Sequence, residues 1–354
     1  MPIDYSRNAL KEKDILMKSS HLHWMHWLVI VASIILTLSA WYISKTSIEK
    51  NSELQFERQA QQAVALIQER IIKYEDALWA GVAMIQSNGG DVSHPRWRSF
   101  AENLSLEEKY PGINGIGVIH FISESEKENY LQQQRTLRPD YHIHPEHHRD
   151  EFWPITYIEP ENMNSAAVGL DMAHETNRYR AALAARESGN AQITAPITLV
   201  QDANQTPGFL FYAPFYKKGP YETPAERISH FTGMVYAPFI FEKLMEGTLS
   251  KKNRLIGIKI KDNDYVLYNE HQSNFSDYDP NPLFSKQYEI DIYGRNWKFD
   301  IRSALSFRQA VKNNQPVIIL IGGVIIDILL VTLFILLTNA NRRAKNILEK
   351  VLEN

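Results

Sequence analysis

Two apolar runs near the ends of the chain constrain whatever lies between them. Residues 24–44 are apolar apart from one histidine, a few hydroxyls and the aromatic ends of the run. At about 1.5 Å of rise per residue, a helix of that length crosses the hydrocarbon core of a bilayer. Residues 317–338, entered from Pro316, form a second run of the same kind. Arg7, Lys11, Lys13 and Lys18 precede the first run, and Asn341-Arg342-Arg343-Ala344-Lys345 follows the second. Basic flanks are retained on the cytoplasmic side, so both termini are expected there and residues 45–316 outside. The competing reading of the first run is a cleaved signal peptide, whose apolar core spans about 7–15 residues and ends in a small-residue cleavage site. This run is longer, and Leu38-Ser39-Ala40 is a poor match to such a site, which favours a retained anchor.

Composition narrows the function classes. With 38 basic against 41 acidic residues the chain has no excess of positive charge for a polyanion, and no nucleic-acid partner is expected. It contains no cysteine, which excludes disulfide frameworks, zinc knuckles and thiol nucleophiles and fits an oxidising compartment.

Between the runs the pattern is mixed. Phe56, Ala60, Ala63, Ile67, Ile71, Tyr74, Leu78, Val82 and Ile85 recur every three or four residues, the stripe of a long amphipathic helix stopped by Asn88-Gly89-Gly90. Two readings fit that stripe: a helix packed on its own domain, and a stalk pairing with a second subunit. Ser93 and Pro95 start a helix reaching Leu104, and Ser123 to Glu126 is a capping box opening another. A Pro-Gly turn at Pro111-Gly112 feeds a strand over 116–122, and 141–144 and 152–158 read as extended. A helix is expected over 175–187, stopped by Gly189. Strands follow at 191–194, 197–201, 208–216 and 230–236, with a polar turn over 202–207 and a short helix over 239–245. Further strands are expected at 256–260, 265–268, 288–293 and 297–302, with Gly294-Arg295 as a hairpin turn. The region outside the membrane is thus an α+β fold of two successive units.

In order along the chain stand Tyr110-Pro111-Gly112-Ile113, Gly115-Ile116-Gly117, Pro154-Ile155, Tyr157-Ile158-Glu159-Pro160, Gly169-Leu170-Asp171, Arg178, Ala182-Leu183, Ala185, Gly189, Thr194-Ala195-Pro196 and Pro214-Phe215-Tyr216. This ordered set, over residues 80–240, resembles the CHASE family, the extracellular sensory domain of histidine kinases, nucleotide cyclases and diguanylate cyclases. The resemblance implies two PAS-like units on a long N-terminal helix, flanked by two transmembrane helices, with the ligand in the membrane-distal unit. The boundaries expected on this basis are a cytoplasmic N-terminus (1–23), a span (24–44), a stalk helix (45–90), a membrane-distal unit (91–237), a membrane-proximal unit (238–316), a span (317–338) and a cytoplasmic stub (339–354). The family includes plant cytokinin receptors, whose ligand contacts include the threonine matching Thr194 and an aspartate upstream of Gly-Leu-Asp. Here that upstream stretch reads Glu161-Asn162-Met163-Asn164 and differs in length.

The ligand-binding candidates are Thr194, Asp171, Arg178, Tyr157, Leu170 and Phe211. Arg178 and Asp171 suit a polar ligand, because guanidinium binds carboxylates in a fork; the alternative is a structural pair or a helix cap. Thr194 lies on an expected strand, where its alternative is a core threonine bonded to backbone. Tyr157, Leu170 and Phe211 are apolar or aromatic, as pocket walls and cores both are. His142, His144, His147 and His148, with Glu146 and Asp150, form the richest group of metal-ligand side chains, but the spacing matches no closed zinc pattern. No metal or other cofactor is expected. Catalytic signatures such as Gly-x-Ser-x-Gly, a Walker loop and His-Glu-x-x-His are absent, so no enzyme activity is expected. The 16 residues after Thr338 are too few for a kinase or cyclase, which places the output partner beyond this stretch or on another protein. Asp327, in the second span, costs about 2.5–3.5 kcal/mol to insert and is expected at a helix contact of a homodimer, as a signal relay near Gly322 and Gly323. The overall expectation is a membrane-anchored receptor module for a small molecule. The rival reading is a metal-binding or structural envelope protein.

Overall fold

A computed structural model describes residues 24–200, 206–249 and 254–352. The four basic residues before the first span, and most of the turn expected at 202–207, lie outside the described residues. The chain divides into two compact units, one from the described residues of Met1–Gln55 and Gln309–Asn354, the other from Phe56–Arg308.

Helix α1 (Trp24–Ser87) contributes to both units. In the larger one, all nine stripe positions from Phe56 to Ile85 are buried. The Tyr74 ring lies 5.1 Å from that of Phe239, and its hydroxyl donates to the Pro111 carbonyl. Phe56 stacks 5.7 Å from Phe284. The stripe is therefore filled by the chain's own sheets and is not left as a seam for a second subunit. After α1 come α2 (His94–Leu104) and α3 (Leu106–Lys109), then β1 (Ile116–His120), β2 (Ile122–Ser123), α4 (Lys127–Leu137), β3 (Glu151–Phe152), β4 (Ile155–Glu159) and α5 (Glu161–Asn164). Ser123 and Glu126 form the expected capping box, which opens a single 3-10 turn leading into α4.

Helix α6 (Thr176–Ser188) precedes β5 (Gln192–Ile193), β6 (Ile197–Thr198), β7 (Pro207–Tyr216), α7 (Pro224–His230), β8 (Phe231–Ile240) and α8 (Phe241–Thr248). The first sheet has the order β4-β1-β8-β7-β5, with β6 also on β7, and every pair in it is antiparallel. Strand alternation sorts its side chains onto two faces. Val235 meets α1 at Gly81, whereas Tyr212, Met234 and Tyr236 share a core with Ala181, Ala182 and Ala185 of α6. The second sheet is antiparallel with the order β10-β9-β12-β11, from β9 (Ile256–Asp262), β10 (Tyr265–Asn269), β11 (Ser285–Ile292) and β12 (Arg295–Ser303). Helices α9 (Leu305–Ala310) and α10 (Gln315–Leu352) end the described chain.

Two local expectations need correction, and one helix was missed. Residues 141–144 form no strand, because their backbone bonds go to a loop instead: His144 donates to the Gly169 carbonyl at 3.0 Å and accepts from Asp171 at 2.8 Å. The β11–β12 turn is Tyr293-Gly294 rather than Gly294-Arg295. The ladder closes at Ile292 opposite Arg295, and both turn residues have positive φ (43° and 83°), as a two-residue hairpin of this twist requires. Helix α7 was not anticipated, although Thr223 and Glu226 form a capping box that marks its start.

In the smaller unit, α1 and α10 both contain stretches long and apolar enough to cross a membrane. Gly323 lies against Thr37 so closely that a Cβ there would overlap the threonine side chain, while Gly322 faces open space. The small-residue contact is thus made with the chain's own first apolar helix. One Asp327 carboxylate oxygen is shielded from solvent and has no hydrogen-bond partner.

Candidate functional site

The face of the first sheet that packs on α6 carries an unusual load of unpaired polar groups. Tyr212 and Tyr236 are direct neighbours across β7 and β8, and neither hydroxyl has a hydrogen-bond partner. Burial pushes both phenols far above their ordinary pKa, so each keeps its proton and holds a donor without an acceptor. The Tyr236 ring lies over β1 at Gly117, where any Cβ would overlap both that ring and the Tyr157 carbonyl oxygen. Glycine at this point of the Gly-Ile-Gly motif is therefore a matter of space.

Arg178, on the first turn of α6, completes the group. Its side chain is 9% exposed, its Nη2 donates to the Thr198 carbonyl at 3.4 Å, and its Nε has no hydrogen-bond partner. The nearest carboxylate oxygen, on Glu175, is 4.0 Å from Nε, an ion pair but not a hydrogen bond. Arg178, Tyr236 and Leu170, with Ile155, Met172 and Leu210, line a cavity of about 10 Å³, room for roughly one water. A buried hydroxyl or guanidinium N–H left unpaired costs about 1–3 kcal/mol, so three on one side of a helix form a costly arrangement unless something binds them.

The other candidates sit elsewhere. Asp171 is fully buried; its Oδ1 accepts from the Trp153 and Ala173 backbones, each at 2.8 Å, and its Oδ2 accepts from His147 Nε2 at 2.8 Å. It caps the 3-10 turn Met172–His174, whereas Glu175 caps α6. Asp171 and Arg178 do not pair with each other. Thr194 is 1% exposed, and its hydroxyl accepts the Leu210 backbone N–H at 3.0 Å, which makes it a core threonine beside the cavity wall. Phe211 points to the opposite face, its ring 4.7 Å from Tyr293. Tyr157 stacks 5.1 Å from His94, with the Arg138 guanidinium 5.8 Å from its ring. Sequence reasoning missed Tyr212 and Tyr236, whose only local signal was their place in aromatic strands. Their pairing across two strands was not readable from spacing.

The histidine-rich stretch does not converge on one point. His142 and His144 approach each other at 5.0 Å between ring centres, but His144 bonds to the Val168 carbonyl and His147 to Asp171. Among the described residues, the group whose ligand atoms converge is His94, Glu159 and Glu161, within 4.8 Å of one another. Arg98 and Arg138 already neutralise its carboxylates at 3.1 and 2.6 Å, and the Arg138 hydrogen bond holds Glu161 below the ordinary carboxylate range. A cation entering there would have to displace two guanidinium groups.

The family model described as the CHASE domain matches residues 90–274. Histidine kinase 3 of Arabidopsis thaliana is 26% identical over 265 residues, which cover 66% of this chain and 25% of that protein. The chain thus spans a quarter of the length of this curated relative. Among solved structures, an extracellular ligand binding receptor from Desulfohalobium retbaense aligns with a TM-score of 0.47 and 12% identity, over 71% of this chain and 40% of the other. The periplasmic sensory domain of a Campylobacter jejuni chemoreceptor aligns with a TM-score of 0.44 and 11% identity, over 77% of this chain and all of the other.

Proposed function

This chain belongs to the CHASE domain family, and on that premise we propose that it is the sensory part of a two-span membrane receptor. Phe56–Arg308 lies on the periplasmic or extracellular side and binds a small molecule, and a histidine kinase or diguanylate cyclase type of output follows on a longer chain or a partner. The two apolar helices, with Arg342, Arg343 and Lys345 after the second, support this placement. The antiparallel first sheet, with its earliest long strand β1 beside its last strand β8, supports a PAS-like reading of the membrane-distal part. The second sheet is the corresponding membrane-proximal part.

The observation that carries the ligand site is that Arg178, with its unpaired Nε, and Tyr236, with its unpaired hydroxyl, line one cavity, with the unpaired Tyr212 hydroxyl on the neighbouring strand position. Such a set suits a ligand rich in acceptor oxygens, such as a carboxylate or a carbonyl compound, with Leu170 and Ile155 against its apolar part. The cavity must widen to admit it, and that movement of α6 against the sheet is the signal. Dimerisation would then pair the shielded Asp327 carboxyl with a second copy.

A thermal-shift screen of the full chain in detergent, against organic acids, amino acids, nucleobases and divalent metals, tests this reading. A ligand held at 100 times its Kd adds about 2.7 kcal/mol to the folded state. Arg178→Met and Tyr236→Phe should abolish the shift produced by an acidic hit. An equal shift in both variants and the wild type would remove this cavity from consideration.

A further inference from the structure

A cavity in the second sheet lies apart from the Arg178 cavity and has its own unpaired polar group. We propose that this cavity, beside the His271 ring, is a second ligand site that takes a small neutral molecule with an apolar ring and one hydroxyl or amide group.

Its volume is about 150 Å³. An engineered apolar cavity of that size in another protein accepts benzene. Ile256, Phe275, Tyr278 and Ala304 supply apolar wall, and the charges around the rim are already committed. Arg254 pairs with Glu270, which also accepts the Ile258 N–H at 3.0 Å and the Tyr268 hydroxyl at 2.8 Å. Arg302 pairs with Asp300 at 2.9 Å. Asp277 accepts from the Ser306 backbone and hydroxyl, and Asp279 accepts from Arg308 and the Asn281 backbone. A charged ligand would therefore have to break one of these pairs.

His271 is the exception. Its side chain is 6% exposed, and neither ring nitrogen has a hydrogen-bond partner. The nearest acid, Asp300, is 3.7 Å from Nδ1, and the Gly257 carbonyl lies near the ring without hydrogen-bond geometry. No side chain screens the ring from Gly257, where a Cβ would only just touch it at 3.4 Å. Burial holds the imidazole below its ordinary pKa, so at neutral pH it offers one N–H and one lone pair. A hydroxyl or a primary amide matches either role, and a carboxylate finds no free cation.

The probe is 4-fluorophenol, followed by fluorine NMR with the full chain in nanodiscs. Fluorobenzene and 4-fluorobenzoate serve as the apolar and charged comparisons. His271→Phe keeps a ring of similar shape and should weaken 4-fluorophenol about three- to tenfold, the worth of one hydrogen bond, while leaving fluorobenzene unchanged. Ser276→Trp alters an exposed rim position and should block both. Fluorobenzoate should bind more weakly than the phenol. The proposal is overturned if 4-fluorophenol fails to bind at millimolar concentration, if Ser276→Trp leaves its affinity intact, or if the benzoate binds best. Far-UV circular dichroism of each variant separates loss of the site from loss of the fold, and the Ser276→Trp comparison stands even if His271→Phe does not fold.

Discussion

Asp171 is the position at which the family motif and the structure give the most different accounts, and its replacement separates them. Its Oδ1 takes two backbone N–H groups, from Trp153 and Ala173, both residues fully buried. Its Oδ2 takes the His147 ring, whose Nδ1 accepts the Arg149 N–H and so leaves the proton on Nε2. Asp171→Asn keeps a carbonyl oxygen for the two backbone donors and loses only the bond to His147, at about 1–3 kcal/mol. Asp171→Ala loses that bond and also strands two buried N–H groups, each costing about 1–3 kcal/mol more. The two variants should therefore differ by about 2–6 kcal/mol. At roughly 2–4 °C per kcal/mol for a unit of this size, the alanine variant melts at least about 4 °C below the asparagine variant. Tryptophan fluorescence of the full chain in detergent measures this, with Trp153 itself beside the perturbation. Equal melting temperatures for the two variants would refute the reasoning. An asparagine variant that melts normally but no longer responds to a ligand would return Asp171 to the binding site.

Other outcomes are equally specific. Gly117→Ala should cost about 1–3 kcal/mol, because the new methyl meets a backbone carbonyl and the Tyr236 ring and neither can retreat; an unchanged melting temperature would contradict the packing described for β1 and β8. His120 and His271 are held below the ordinary histidine range chiefly by burial, against the pull of Asp91 on the first and of the Gly257 backbone and Asp300 on the second. The unfolded chain therefore takes up protons near pH 6.5 that the folded chain refuses, so stability is full above that pH and falls as the solution is acidified below it. A melting temperature that rises toward pH 5, or falls just as steeply in a His120→Phe, His271→Phe double variant, would contradict that assignment. A periplasm-active reporter enzyme fused after Gly219 should be active and the same fusion after Asn354 inactive; activity at the latter would overturn the two-span placement.

Several features were legible in the sequence because their physics is local. The nine-residue stripe of α1 depends only on helical period, and every member is buried. The Ser123–Glu126 capping box and the end of α6 at Gly189 depend on neighbours a few residues apart, and both occur. The two apolar helices follow from length and composition alone. The candidate site was legible only in part. Leu170 and Arg178 line the small cavity and Phe211 does not, because a strand sends successive side chains to opposite faces and the register of β7 on β8 decides which face is which. That register, set by pairing between distant segments, also brings Tyr212 beside Tyr236. Thr194 lies just past the end of β5 and Asp171 caps a 3-10 turn, and their partners come from Leu210, Trp153 and His147, residues whose approach no local spacing encodes. Local periodicity and capping thus determined the elements, while long-range strand pairing and burial decided which polar groups were satisfied and which were left facing a cavity.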